Sequence, residues 1–395
     1  MKFFKVKTPH INREGMVFSW ASLFFGFGLA VLLPILPNFI KTIVDNDAYV
    51  GYFYSSMSIA MLLAGILSAY LFKKFSRISV LTAFFIVGAL AVMLLVFATR
   101  FYHVFFLEFV RIFSALLITI SLSLMVRDFT AEKNLGQTEG VFFVFNNIGW
   151  FLGPVVGGIV GRYCGFEPVF VISGVFFLIS LGYLLHQNLV KKHPSLSLPK
   201  YEPKKIIKKN RFVRFFGDKG RVSAYVVHLV FLAWLAFKSV VVPLYITEQG
   251  YGTDLAGLVI SLSILPFVLF EMPVGKYADK HGVKNPIVSG FAIIAMCLFA
   301  VKISPLFFVD ALFLILVSIG SSFIEPLCDV FFFKHVSKEE ENDFYGIYRT
   351  ADPIGKFLGP LIFSVSLMFV PFDWVFVVAG GIFFAAGVLA LRIRD

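Results

Sequence analysis

Charge is scarce in this chain. Asp, Glu, Lys and Arg make up 15% of its 395 residues, where a soluble domain carries about 25%. That deficit excludes an ordinary water-soluble protein. Cysteine is nearly missing too: Cys164, Cys297 and Cys328 show neither paired nor metal-ligand spacing, so neither a disulfide framework nor a zinc site is expected. The sequence has no Walker loop, no His-Glu-x-x-His motif and no nucleophile–base constellation. An enzyme is therefore not expected, nor a cofactor, nor direct use of ATP.

Hydrocarbon takes the place of charge. Hydrophobic residues are 58% of the chain, and apolar stretches of about twenty residues recur along it, each long enough to cross about 30 Å of bilayer as a helix that satisfies its own backbone. They predict spans at 16–40, 49–72, 78–99, 102–126, 140–162 and 168–189, then 223–247, 254–276, 284–303, 306–333, 345–370 and 373–392. The fold class expected is an all-α integral membrane protein of about twelve transmembrane helices in two pseudo-symmetric six-helix bundles. The basic, polar start precedes an apolar run too long for a signal peptide, so span 1 is expected to stay uncleaved.

A net charge of +11 would suit a nucleic-acid partner if the basic residues formed a patch. Their positions argue otherwise. With the N-terminus inside, Lys41, Arg100, Arg162 and Lys302 fall outside, Arg111, Lys238, Arg349 and Lys356 fall within spans, and all other Lys and Arg lie in the tails and inner loops. This is the positive-inside pattern. It predicts cytoplasmic N- and C-termini, a lipid bilayer as partner, and no nucleic acid.

Residues 190–222 interrupt the apolar pattern with prolines and a dense run of lysines, as a cytoplasmic linker would. The domains expected are an N-terminal tail (1–15), a six-helix bundle (16–189), the linker (190–222) and a second bundle (223–392). The basic–apolar stretch from Arg211 to Phe216 suits either an interfacial segment or a solvated loop. The bundles repeat at an offset of 206 residues: Pro37 matches Pro243, Ala69 to Ser76 matches Gly275 to Gly282, and Gly140, Gly149, Gly153 and Pro154 match Gly346, Gly355, Gly359 and Pro360. Many secondary transporters are built from such repeats, with a site between the halves near mid-membrane.

The loop after span 8 reads Gly275-Lys276-Tyr277-Ala278-Asp279-Lys280-His281-Gly282-Val283-Lys284. It resembles the loop signature of the major facilitator superfamily, Gly-x-x-Ala-Asp-Arg/Lys-x-Gly-x-Arg/Lys, at every position. Here Gly275 would allow close helix approach, Gly282 a tight turn, and Asp279 and Lys280 the charges of an inner latch. Glu271, just upstream, is expected to join that gate. The first-half counterpart, Ala69 to Arg77, has Lys73 in place of the acid and lacks both glycines, so the latch is expected to be asymmetric. Span 5 carries Gly140, Gly149, Gly153, Pro154, Gly157 and Gly158, which resembles the antiporter signature of the superfamily's drug exporters; the alternative is plain small-residue packing. Leu32-Leu33-Pro34-Ile35-Leu36-Pro37 is similar to the proline-bearing end of span 1 in twelve-span exporters, but no acidic residue lies between Ser19 and Pro37.

Ionisable groups inside hydrocarbon cost about 2.5–3.5 kcal/mol each on insertion scales, so those retained usually line a watery pathway or pair with one another. Glu108 and Arg111 stand three apart on span 4, and Arg111 resembles the span-4 arginine of the superfamily's exporters. They are expected to form either a bridge that opens on protonation or a static pair. Span 7 offers Lys238, and span 10 offers Glu325 and Asp329. In the resembled family spans 1, 4, 7 and 10 line the central cavity, which makes Glu325 the expected proton- or cation-binding carboxylate; a structural bridge from Lys238 to Glu325 is the competing reading. Arg349, Asp352 and Lys356 share one face of span 11 with the aspartate between two cations, as a structural or gating network would. The 51 phenylalanines are read as lipid-facing bulk, or as the walls of a cavity for lipophilic compounds.

Together these features predict a secondary transporter in the plasma membrane, a monomer whose partners are a small-molecule substrate and protons. The leading expectation is proton-coupled export of small lipophilic molecules by alternating access. Uptake of a sugar or organic acid by symport is the alternative within the fold, and a non-transporting receptor or assembly subunit is the alternative outside it.

Overall fold

The computed structural model describes residues 13–130, 135–187, 211–304, 306–338 and 340–393. Most of the expected N-terminal tail and linker, residues 1–12 and 188–210, lies outside the described residues. The described secondary structure is helical throughout, as a chain in hydrocarbon requires when every peptide group must find its partner within its own segment.

Ten helices among the described residues are long and apolar enough to cross a bilayer. Span 2 is Asp47–Lys74, span 3 Arg77–Leu94, span 4 Phe101–Phe129, span 5 Leu135–Cys164 and span 6 Glu167–His186. A short linker helix, Arg211–Phe216, precedes span 7 (Lys219–Glu248), and the series continues with span 9 (Lys284–Ile303), span 10 (Phe307–Lys334) and span 12 (Val375–Ala390). Spans 1, 8 and 11 are each made of two helices. Span 1 breaks between Arg13–Ala30 and Leu36–Val44, where Pro34 and Pro37 remove two backbone donors. Span 8 breaks between Thr253–Leu262 and Leu265–His281, with Pro266 in the first turn of the second piece. Span 11 breaks between Glu341–Tyr348 and Ala351–Ser366, with Pro353 opening the second piece. Pro243, the repeat partner of Pro37, lies inside the continuous helix of span 7 instead, so the sequence repeat is not a strict repeat of conformation.

Local sequence fixes where the spans begin and end. The Asn46 side chain accepts from the Ala48 N–H at 2.8 Å to start span 2, and Asp218 accepts from the Arg221 N–H at 2.8 Å to start span 7. Span 8 stops at Gly282, whose φ of 88° is open to glycine and costly for other residues. This is the tight turn expected of the loop signature.

The halves pack by the same rule. Span 5 lies on span 1 and span 11 lies on span 7. A Cβ at Gly149 would sit 2.4 Å from the Leu23 carbonyl oxygen, one at Gly153 2.7 Å from the Ala30 Cβ, and one at Gly157 1.8 Å from the Val31 oxygen. Across the repeat, a Cβ at Gly359 would sit 2.1 Å from the Ala233 oxygen. Glycines at this spacing bring two helix backbones together where no apolar driving force separates protein from lipid.

Candidate functional site

The two halves meet at one end and part at the other. At the end away from the linker, span 5 of the first half seats span 8 of the second. A Cβ at Gly158 would lie 2.3 Å from the Thr253 oxygen, one at Gly257 2.0 Å from the Pro154 oxygen, and the Thr253 hydroxyl donates to the Gly158 carbonyl at 2.9 Å. Span 2 seats span 11 in the mirrored way: Gly51 has no room for a Cβ against the Pro360 oxygen, and Ser364 donates to the Ala48 carbonyl at 2.7 Å. Lys41 to Glu248 at 2.7 Å, Arg162 to Asp254 at 2.9 Å and Thr247 to Asn38 at 2.6 Å tie the same end. A continuous apolar core runs through both halves there, from Phe27, Val31 and Phe53 to Trp234 and Phe363.

At the linker end the first half keeps a separate core around Phe18, Phe85 and Phe177. A Cβ at Gly140, Gly275 or Gly346 would meet nothing within 4 Å. The close helix approach expected at Gly275 is therefore not made in this conformation, and Asp279 and Lys280 are exposed. The structure has one sealed end and one open end, with a cleft between the halves that reaches inward from the linker side.

Spans 7 and 10 of the second half are joined by polar contacts. Lys238 donates to Ser318 Oγ at 2.7 Å, and one turn away Trp234 Nε1 donates to Ser321 Oγ at 3.0 Å, so two polar rungs join spans 7 and 10. Lys238 and Glu325 do not form an ion pair in this conformation, in which the lysine donates to Ser318. Glu325 is exposed where spans 7, 8 and 10 converge, and its charged neighbours are Glu271 and Lys238. Glu271, upstream of the loop at Asp279, is thus also a neighbour of this carboxylate. A turn further on, Asp329 keeps one buried oxygen, Oδ1, without a hydrogen-bond partner.

In span 11 Asp352 takes Arg349, three residues before it, on one oxygen at 2.9 Å and His228 Nε2 of span 7 on the other at 2.8 Å. Lys356 is a more distant neighbour, outside ion-pair reach. The His228 ring stacks on Tyr348, which stacks in turn on Phe332. Sequence reading missed His228, and a lone histidine in span 7 gave little signal. Trp234 was also missed, although its i, i+4 spacing from Lys238 and the serines at 318 and 321 were visible signs of a polar seam.

The first half holds one buried pair. Arg111 donates from Nε and from Nη2 to the two oxygens of Glu108, each at 2.7 Å, and Glu108 is fully buried. A fork-to-fork pair of this kind satisfies both groups in one plane. Tyr54 of span 2 is a close neighbour of both charges. The antiporter-type glycines divide in two: Gly149, Gly153 and Gly157 seat span 1, while Gly158 and the Pro154 carbonyl seat span 8 of the other half. The three cysteines are free, and no group of three or more metal-ligating side chains occurs among the described residues.

Known proteins agree with this architecture. The Major Facilitator Superfamily profile matches residues 18–256 and again 226–395. An uncharacterised MFS-type transporter of Methanocaldococcus jannaschii is 22% identical over 343 residues, covering 85% of this chain and 86% of the relative. A multi-drug resistance efflux pump PmrA homolog of Lactococcus lactis is 23% identical over 375 residues, covering 91% and 89%. Among solved structures, the nucleoside transporter NupG superposes with a TM-score of 0.76 over 97% of this chain and all of its own, at 16% identity, a likeness of fold.

Proposed function

This chain belongs to the Major Facilitator Superfamily, and from that premise we propose that it exports small lipophilic molecules in exchange for protons. It is a membrane transporter and not an enzyme. The rocking of two repeats around a fixed site is the mechanism such architectures permit. One end sealed and the other open is one of the two states that mechanism needs.

The observation that carries the proton reading is Glu325. It is an acid inside a membrane span, reached from the open cleft, with its lysine neighbour tied to Ser318 and a second carboxylate, Glu271, beside it. Such a carboxylate can take up a proton from the cleft. When the halves rock, the same carboxylate faces the other side and can release it. Two features support export: the glycine series that seats span 5, and the relative named as an efflux pump. The distribution of Lys and Arg supports a cytoplasmic linker end in the plasma membrane, so the cleft opens to the cytoplasm.

The test uses inverted vesicles carrying an acid interior and a pH-sensitive dye. Addition of a lipophilic cation or neutral drug that is a substrate should dissipate the gradient with the native protein and not with Glu325→Gln at equal folded protein. Equal dissipation by both would remove Glu325 from the coupling step.

A further inference from the structure

The cleft is not the only feature at the linker end. On the second half a cavity of about 940 Å³ opens beside the linker helix. Three cationic side chains and one imidazole line it: Lys219 at the start of span 7, Lys284 at the start of span 9 and Arg392 just past span 12, with His335 just past span 10. No acidic side chain lines it among the described residues. Four separate elements thus converge on one positively charged space.

The cavity is built, and is not a by-product of the repeat. Gly220 forms its wall, and a Cβ there would fall 1.9 Å from His335 Cδ2, so the imidazole lies against a backbone that has no side chain. His335 Nδ1 is held 3.0 Å from the Phe331 carbonyl, which fixes the ring. At the 206-residue offset the first half has Ile78 where this half has Lys284, Phe129 where it has His335 and Glu14 where it has Gly220, while Lys219 and Arg392 keep basic counterparts in Arg13 and His186. The halves share that basic pair and differ at the other three positions, the glycine wall among them. The wall is also apolar in part. Phe216 and Leu391 line it while remaining about half exposed, and Phe212 of the linker helix is exposed alongside.

We propose that this cavity binds the phosphate group of an anionic phospholipid from the adjoining leaflet, with Lys219 and Arg392 on the phosphate and an acyl chain along Phe216 and Leu391. The cations select the headgroup and the half-exposed apolar residues select a lipid over a soluble phosphate. A bound lipid would pin the linker helix and the ends of spans 7, 9, 10 and 12 into one body.

Native mass spectrometry of the full-length protein, supplied with equal amounts of phosphatidylglycerol and phosphatidylcholine, tests this. The native protein should retain one phosphatidylglycerol in preference to phosphatidylcholine. The double variant Lys219→Gln/Arg392→Gln should weaken that retention about 30-fold, since two charges near an anionic surface are lost. Lys219→Arg/Arg392→Lys should keep it, and so should the first-half control Arg13→Gln/His186→Gln. Glycerol phosphate added in excess distinguishes the sources. No displacement of the lipid supports the phospholipid, whereas displacement supports the phosphate site but makes a soluble phosphate its occupant. Equal retention of both lipids by the native protein with no binding of glycerol phosphate would overturn the proposal, as would undiminished retention in the double glutamine variant.

Discussion

At the scale of single residues, the structure separates charges that hold the fold from charges free to work. Glu108 and Arg111 satisfy each other completely in a buried fork. Removing one partner leaves an uncompensated buried charge, at a cost of about 3–5 kcal/mol, whereas replacing both by apolar groups of similar volume is often neutral. Arg111→Met should therefore lower the thermal unfolding midpoint of the purified protein sharply, and Glu108→Met/Arg111→Met should recover most of the loss. A double variant as unstable as the single would show that the pair is needed for more than charge balance. Asp352 is similarly held, by Arg349 and His228. Glu325 differs, because its surroundings supply an exposed cleft and a like charge instead of a fixed partner. The sequence marked the charged residues of the second half but only part of their pairing. Arg349 and Asp352 pair as their spacing on one face suggests, and the second oxygen of Asp352 goes to His228 of span 7, a partner from another helix that spacing within span 11 could not reveal.

At the scale of elements, the glycine spacings were legible and their partners were not. The series in span 5 announced close packing, but only coordinates reveal that Gly157 meets span 1 while its neighbour Gly158 meets span 8 of the other half. Adjacent positions on a helix point about 100° apart, so one motif serves two interfaces. Gly51 and Gly257 obey the same 206-residue offset without belonging to a glycine series, and both lie in the sealed end. These two interfaces respond differently to a side chain. Gly157→Ala, with a Cβ 1.8 Å from the Val31 oxygen, should destabilise the first half in every conformation, seen as a lower unfolding midpoint. Gly257→Leu obstructs the contact with the Pro154 carbonyl, which exists only while that end is closed. It should leave the unfolding midpoint near the native value yet raise the labelling rate of a cysteine placed in the cleft from the far side. Labelling no faster than in the native protein would mean that the seal does not depend on this contact.

At the scale of the whole molecule, two homologous bundles share a core at one end and part at the other. Helix number and the repeat were readable from composition and offset because hydrocarbon forces helices and leaves few other patterns. Which end would be closed was not readable, since both states of a rocking transporter are compatible with one sequence and differ only in which glycine faces meet. Gly140, Gly275 and Gly346, vacant here, are the faces available for contact when the linker end closes. Alternating access is the central claim, and distances between the two halves at both ends test it directly. Spin labels at Phe143 and Met272 report the linker end, and labels at Tyr163 and Gln249 report the far end, all exposed positions, with the three native cysteines replaced. When protonation or a transported compound shifts the equilibrium, the first distance should shorten as the second lengthens. If both distances stay fixed, or change in the same direction, under conditions where the protein moves its substrate, the rocking account is contradicted.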